Sequence, residues 1–516
     1  MRVEQFLRNS AKRFGDKTAL VAGSVRLTYR EIDAASDRLA SALIAGGAAR
    51  GDRVVIFMDN SWEAVVALFA VFKAGAVICP VNPSTKADKL AYILNNCRAA
   101  AIVTQARLMP VAGKAAAAAP SVVMKVAAGI ADPDTAGGYA RFEDAIASQA
   151  LAALPGPGIE IDLAMLIYTS GSTGFPKGVM MTHQNIGAAA RSITNYLENT
   201  ADDVILNVLP ISFDYGLYQV FMAALTGATL VLEKSFAFPH AVLQKLAADN
   251  VTGFPIVPTM AAMILQMKDM APGMLPRLRY ISSTAAALPP AVIARLGALF
   301  PATHIYSMYG LTECKRCTWL PPSELENRPG SVGIAIPGTE AYVVDERGRR
   351  AAPGTTGELV IRGAHVMKGY WENPEATAKA LRPGSYPWEQ VLHTGDLFRA
   401  DEDGFLYFVG RKDDIIKSRG EKVSPKEVEN VLYQLPDIRE AAVVAVPDPV
   451  LGMAIKAIVA PVPGAELTEK SVLRHCARHL EDFMVPKVVE FRTELPKSEN
   501  GKINRRLLED ALEAAQ

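Results

Sequence analysis

Between Tyr168 and Gly178 the chain reads Tyr168-Thr169-Ser170-Gly171-Ser172-Thr173-Gly174-Phe175-Pro176-Lys177-Gly178. Hydroxyls, glycines and one lysine crowd into this stretch. Glycines let backbone N–H groups turn toward an anion, Ser and Thr add O–H donors, and Lys177 adds a positive charge. The ligand such a set suits is a polyphosphate; a merely flexible Gly/Ser turn would not need the lysine. Short apolar runs at 164–167 and 179–181 flank it and read as strands. The P-loop of nucleotide triphosphatases does not fit. Counting from Gly171, Pro176 stands where that pattern needs Gly. Gly178 stands where it needs a magnesium-binding hydroxyl, and a strand follows where it needs a helix.

Further chemistry lies downstream. Tyr309-Gly310-Leu311-Thr312-Glu313 follows a strand end. A carboxylate there can hold magnesium against phosphates, and a Tyr face can stack on a base. Ser282-Ser283-Thr284-Ala285 ends another strand. Asp396, after Gly395, can take both hydroxyls of a ribose, and Arg411 can reach ribose or phosphate. Cys314 and Cys317 form a lone CxxC among five cysteines, which reads as reduced thiols rather than a zinc or redox site. His475, Cys476 and His479 share a helix face that reads as solvated.

Taken together and in this order, these strings resemble the acyl-adenylate-forming superfamily: acyl- and aryl-CoA ligases, adenylation domains of nonribosomal peptide synthetases, and luciferases. The resemblance spans residues 168 to 505; the first 160 residues match in general character. It implies ATP, Mg2+ and either coenzyme A or a phosphopantetheinyl carrier protein. It assigns Thr169, Ser170, Gly171, Ser172, Thr173, Gly174 and Lys177 to the phosphates, and Thr173 and Glu313 to the metal. Thr284, Ala285, Tyr309, Gly310 and Thr312 fall to the adenine side, and Asp396 and Arg411 to the ribose. Where the family has a Gly-rich turn for adenine, this chain has Thr284 and Ala285. Asp413, in Gly410-Arg411-Lys412-Asp413-Asp414, matches the family hinge. Ser418, Arg419, Gly420 and Glu421 match the loop serving the thiol step. Lys502, in Pro496-Lys497-Ser498-Glu499-Asn500-Gly501-Lys502-Ile503, matches the lysine that serves the adenylation step.

The implied reaction has two steps. A carboxylate attacks the α-phosphorus of ATP, releasing pyrophosphate and leaving an acyl-adenylate; a thiol then displaces AMP. Two anions must meet in the first step, so donors and positive charge have to stand ready. Lys502, with Thr173 and Glu313, is the expected catalytic set.

The acid is harder to read. Pro210-Ile211-Ser212-Phe213-Asp214-Tyr215-Gly216 falls where the family lines its acyl pocket, with Val257, Ser283 and Met308 as further expected lining. Phe213-Asp214 resembles amino-acid adenylation domains, whose Asp receives the substrate ammonium. The alternative leaves Asp214 on a protein partner and the aromatics as the wall of an ordinary acyl pocket. A chain without condensation or carrier domains points first to an acid–coenzyme A ligase. The second reading is an amino-acid ligase, with proline as one candidate acid, loading a separate acyl or peptidyl carrier protein.

The whole chain agrees with such an enzyme. Its 516 residues carry 54 basic and 54 acidic side chains, so charge gives no case for nucleic acid or an anionic membrane. No apolar run is long enough to span a bilayer, and the charged N-terminus has no signal-peptide core. A cytoplasmic protein is expected. Alternating strand and helix patterns over 52–104 predict a parallel sheet, while 111–161 reads as a loosely constrained surface excursion. The predicted fold is α/β. A large N-terminal domain, 1–411, holds two parallel-sheet αβ subdomains and a β-rich subdomain from about Ser331. A small mobile α+β domain, 412–516, follows a hinge near 412–414.

Overall fold

A computed structural model describes the chain apart from residues 150–153, 155–157, 170–174, 268–269, 285–287, 289, 412–415, 424, 436, 449–451, 463, 497–506 and 509–516. Four sheets organise the described residues. The first carries the sequence Arg53–Phe57, Val77–Pro80 and Ala99–Gln105 as parallel strands. The helices Trp62–Lys73 and Ala87–Asn96 connect them. Continuous apolar strands such as Val54 to Phe57 are what a sheet covered on both faces demands. Leu163–Thr169 joins this sheet in parallel, and Lys177–Thr182 closes its edge antiparallel.

The second sheet is built from Val204–Asn207, Thr229–Leu232, Gly253–Ile256, Tyr280–Ser283 and His304–Tyr309, all parallel. The N-terminal strand Thr18–Ala22 adds to it beside Thr229–Leu232. The helix Trp62–Lys73 is buried throughout from Ala64 onward, within the core shared by the two sheets. Its last residue, Lys73, ends on the carboxylates of Asp33 and Asp37. A buried ammonium without such partners would be costly. The third sheet is antiparallel and contains Gly357–Gly363, Gln390–Ala400 and Leu406–Arg411. The fourth belongs to the small C-terminal unit, where Ile438–Asp448 pairs with Gly452–Pro461 under the helices Pro425–Leu432 and Glu469–His479.

The expected surface excursion is instead structured. Met109–Ala117 is a helix, and Met124–Ala128 and Ala140–Arg141 extend the first sheet in parallel. Ala is the best helix former, so the Ala-rich run that suggested looseness makes a helix once one face has a sheet to cover. Cys476 corrects a second expectation: it points into the C-terminal core, and only its neighbours His475 and His479 reach solvent.

Candidate active site

A cleft of about 210 Å³ opens where the C-terminal ends of strands from both parallel sheets meet the C-terminal unit. Crevices at strand C-termini are where open α/β sheets bind ligands. Thr169 ends Leu163–Thr169 on this wall, and its backbone partner across the strand pair is Lys177. Ser170, Gly171, Ser172, Thr173 and Gly174, between them, lie outside the described residues, as do Ala285, Asp413 and Lys502.

The strand His304–Tyr309 delivers the Tyr309–Glu313 string. Gly310 is required at its turn: a Cβ there would stand 1.8 Å from the Lys315 carbonyl oxygen. Gly310 and Thr312 face the cleft. Tyr309 and Glu313 lie behind that wall. The Tyr309 hydroxyl donates to Asp396 at 2.6 Å, and its ring meets the edge of Phe398. Asp396 sits opposite Arg411 in the pair Gln390–Ala400 and Leu406–Arg411; the Arg411 side chain lies outside the described residues. Glu313 accepts from the Tyr370 hydroxyl at 2.8 Å, while Lys177 Nζ stands 5.4 Å above the same Tyr370 ring. Tyr370, which sequence reasoning missed, therefore joins the phosphate-loop lysine to the carboxylate expected to hold a metal.

The stretch 210–216, expected to line the acyl pocket, lies along the same cleft. Asp214 opens the helix Asp214–Thr226 and makes no hydrogen bond to a described residue. The Tyr215 hydroxyl donates to the Ser282 carbonyl at 2.7 Å, which fixes the ring. Phe213 meets Phe483 edge-on, and Val257 and Thr284 complete that wall. Ser283 and Met308 are buried beyond it, and the Met308 sulfur takes the Tyr196 hydroxyl.

The C-terminal unit faces the same space. Ser418 is buried in the hairpin Ile416–Ser418 to Glu421–Val423, and Arg419, Gly420 and Glu421 project into the cleft. Gly420, at φ 81°, supplies the left-handed turn. Burial, with Asp214 and Glu481 nearby, pushes the Glu421 carboxyl up to about 8.

Two further features escaped the sequence reading. Lys89 bridges Glu427 and Glu481 at the junction with the C-terminal unit, and Thr85 donates to Glu481. Arg316 lines the cleft although it is 4% exposed. The signal for it was present: two consecutive cations, Lys315 and Arg316, stand inside an otherwise buried-looking run. Lys315 is spent on the Thr312 carbonyl at 2.9 Å. Cys314 and Cys317 flank them, buried, with their sulfurs 2.7 Å apart.

The sequence profile of the AMP-binding enzyme family matches residues 7–371, and that of the AMP-binding enzyme C-terminal domain matches 427–502. The long-chain-fatty-acid–CoA ligase of Bacillus subtilis (strain 168) is 33% identical over 540 residues, covering 99% of this chain and 95% of that one. The oxalate–CoA ligase of Arabidopsis thaliana is 32% identical over 513 residues, covering 97% of each. Among solved structures, the amide bond synthetase McbA of Marinactinospora thermotolerans is 26% identical with a TM-score of 0.89, covering 99% of both chains.

Proposed function

The chain belongs to the AMP-binding enzyme family and is an AMP-forming ligase of the acyl-CoA synthetase type, and on that premise we propose that it joins a small carboxylic acid to coenzyme A through an acyl-adenylate. The observation that carries this reading is the cleft itself. The thiol-step residues Arg419, Gly420 and Glu421 enclose the same space as Thr169, Thr284 and Thr312, which the family resemblance gives to ATP. One space then serves both half-reactions.

ATP fits the residues present. Thr284 Oγ1 is buried on the cleft wall with no hydrogen-bond partner among the described residues, a donor awaiting a ligand. Asp396, held by Tyr309, would orient the ribose, and Lys177 and Thr169 would hold phosphate oxygens. Magnesium fits as well: Glu313, positioned by Tyr370, and Thr173 would hold it, and it would neutralise charge on the phosphates. Lys502 would bridge the carboxylate and the α-phosphate in the first step. Two lysine- and arginine-bearing segments cannot fill one space together, so the C-terminal unit, 412–516, would swivel at Asp413 between steps.

Acid-dependent ATP–pyrophosphate exchange tests the reading. Exchange should require a carboxylic acid. Lys502→Ala should abolish exchange, by about 10²–10³-fold or more, while sparing thioester formation from supplied acyl-adenylate and coenzyme A. Equal loss in both steps would remove Lys502 from this role. Exchange driven by no acid would remove the ligase reading.

A further inference from the structure

Besides the Thr284 hydroxyl left to the nucleotide, the wall of the acyl side holds two buried polar atoms that no described residue satisfies. They are Ser212 Oγ and Arg316 Nε. Arg316 is the more demanding of them. Its guanidinium lies on the face of Tyr215, 4.3 Å from the ring centroid, and its one hydrogen bond to a described residue is a long contact of 3.5 Å to the Lys315 carbonyl. It makes no ion pair with a described residue. Asp214, on the same wall, does not reach it. A guanidinium this buried is costly unless an anion meets it. Its planar fork suits a carboxylate taken through two parallel bonds. The shelf under it is rigid, because the Tyr215 hydroxyl is tied to Ser282.

A long hydrocarbon tail would leave both atoms unmet. A second carboxylate would answer the charge. Resting on the ligase reading above, we propose that the acid this enzyme activates carries a second carboxylate, seated on Arg316: the substrate class is a short dicarboxylic acid. Asp214 then acts by repulsion, steering the second carboxylate toward Arg316.

The test is acid-dependent ATP–pyrophosphate exchange with malonate, succinate, glutarate, adipate and phthalate, each beside its monoamide, and with butyrate and hexanoate. At least one diacid should exceed its monoamide by about 10²-fold or more in kcat/KM, the scale expected when a buried charge loses its partner. Arg316→Met should erase that ratio by raising KM for the diacid, with KM for ATP unchanged; Arg316→Lys should restore part of it. Simple monoacids or monoamides working as well as diacids in the parent enzyme would overturn the proposal while leaving the ligase reading intact. So would an Arg316→Met effect that falls on ATP, which would place the guanidinium on the nucleotide. If Arg316→Met does not fold, the parent ratio and Arg316→Lys decide. Exchange with none of the acids would overturn both readings together.

Discussion

Lys89 Nζ, on the helix Ala87–Asn96, stands 2.8 Å from Glu481 Oε1 of the C-terminal unit, and the same ammonium is 2.7 Å from Glu427. One cation thus serves two carboxylates across the junction. Burial lowers the pKa of Lys89, but the two carboxylates outweigh it and raise it; burial raises Glu427, because one cation only partly answers two acids. Removing one member of a buried ionic group costs about 3–5 kcal/mol. Lys89→Ala should therefore release the C-terminal unit from this arrangement. Thioester formation from supplied acyl-adenylate should fall at least tenfold, with ATP–pyrophosphate exchange spared. Parallel loss of both would mean that Lys89 serves the fold as a whole.

Glu421 gives the same junction a pH dependence. Its carboxyl is raised by burial first, then by Asp214 and Glu481, to about 8. Lys417 and Arg419 share the cleft with it. The closed arrangement therefore holds a proton that an exposed glutamate loses near its ordinary value. Between about pH 5 and 8 closure should weaken by up to tenfold per unit as pH rises, and flatten above 8. Limited proteolysis of the junction across that range should show the slope, and Glu421→Gln should remove it.

Gly310 tolerates no side chain. The atom a Cβ would meet is a backbone oxygen at 1.8 Å, which cannot swing aside. Gly310→Ala should lower stability by about 1–3 kcal/mol, the cost of overpacking, seen as a drop in Tm. Exchange should fall further than stability, because Thr312 and Glu313 ride on the same turn.

The Tyr309–Asp396 hydrogen bond joins the adenine-side and ribose-side strings. A hydrogen bond to a charged acceptor contributes about 1.5–3 kcal/mol. Tyr309→Phe should raise KM for ATP by about tenfold or more, through a misdirected Asp396, and leave KM for the acid unchanged. Steady-state kinetics with each substrate varied in turn separates the two.

Much of this was readable from spacing. The capping box that Thr28 and Glu31 form is a local feature of this kind, since its two reciprocal hydrogen bonds depend on four consecutive residues. The parallel strands over 53–105 follow from local alternation. The strings of the site kept their order, and Thr169, Thr284, Thr312 and Glu421 converge on one cleft. What was not readable depends on distance along the chain. Nothing near Lys89 announces Glu427 or Glu481. Tyr370 stands in an undistinguished stretch and becomes informative only when it touches Glu313. The 111–161 segment was misread because Ala-rich sequence carries no periodic contrast; only the neighbouring sheet edge decides its shape.

Thr85 and Glu481, which meet at the junction, are 396 positions apart in the chain. At ribosomal speeds of about 5–20 residues per second, several tens of seconds of synthesis separate one partner from the other. The parallel strands of both sheets can be in place for part of that time, since the last of them, His304–Tyr309, ends before residue 310. The wall that Arg419, Gly420 and Glu421 supply cannot. An unfinished chain emerging in a pool of ATP and acids thus holds most of a nucleotide cradle but no means of closing it, and competence arrives only with the last hundred or so residues.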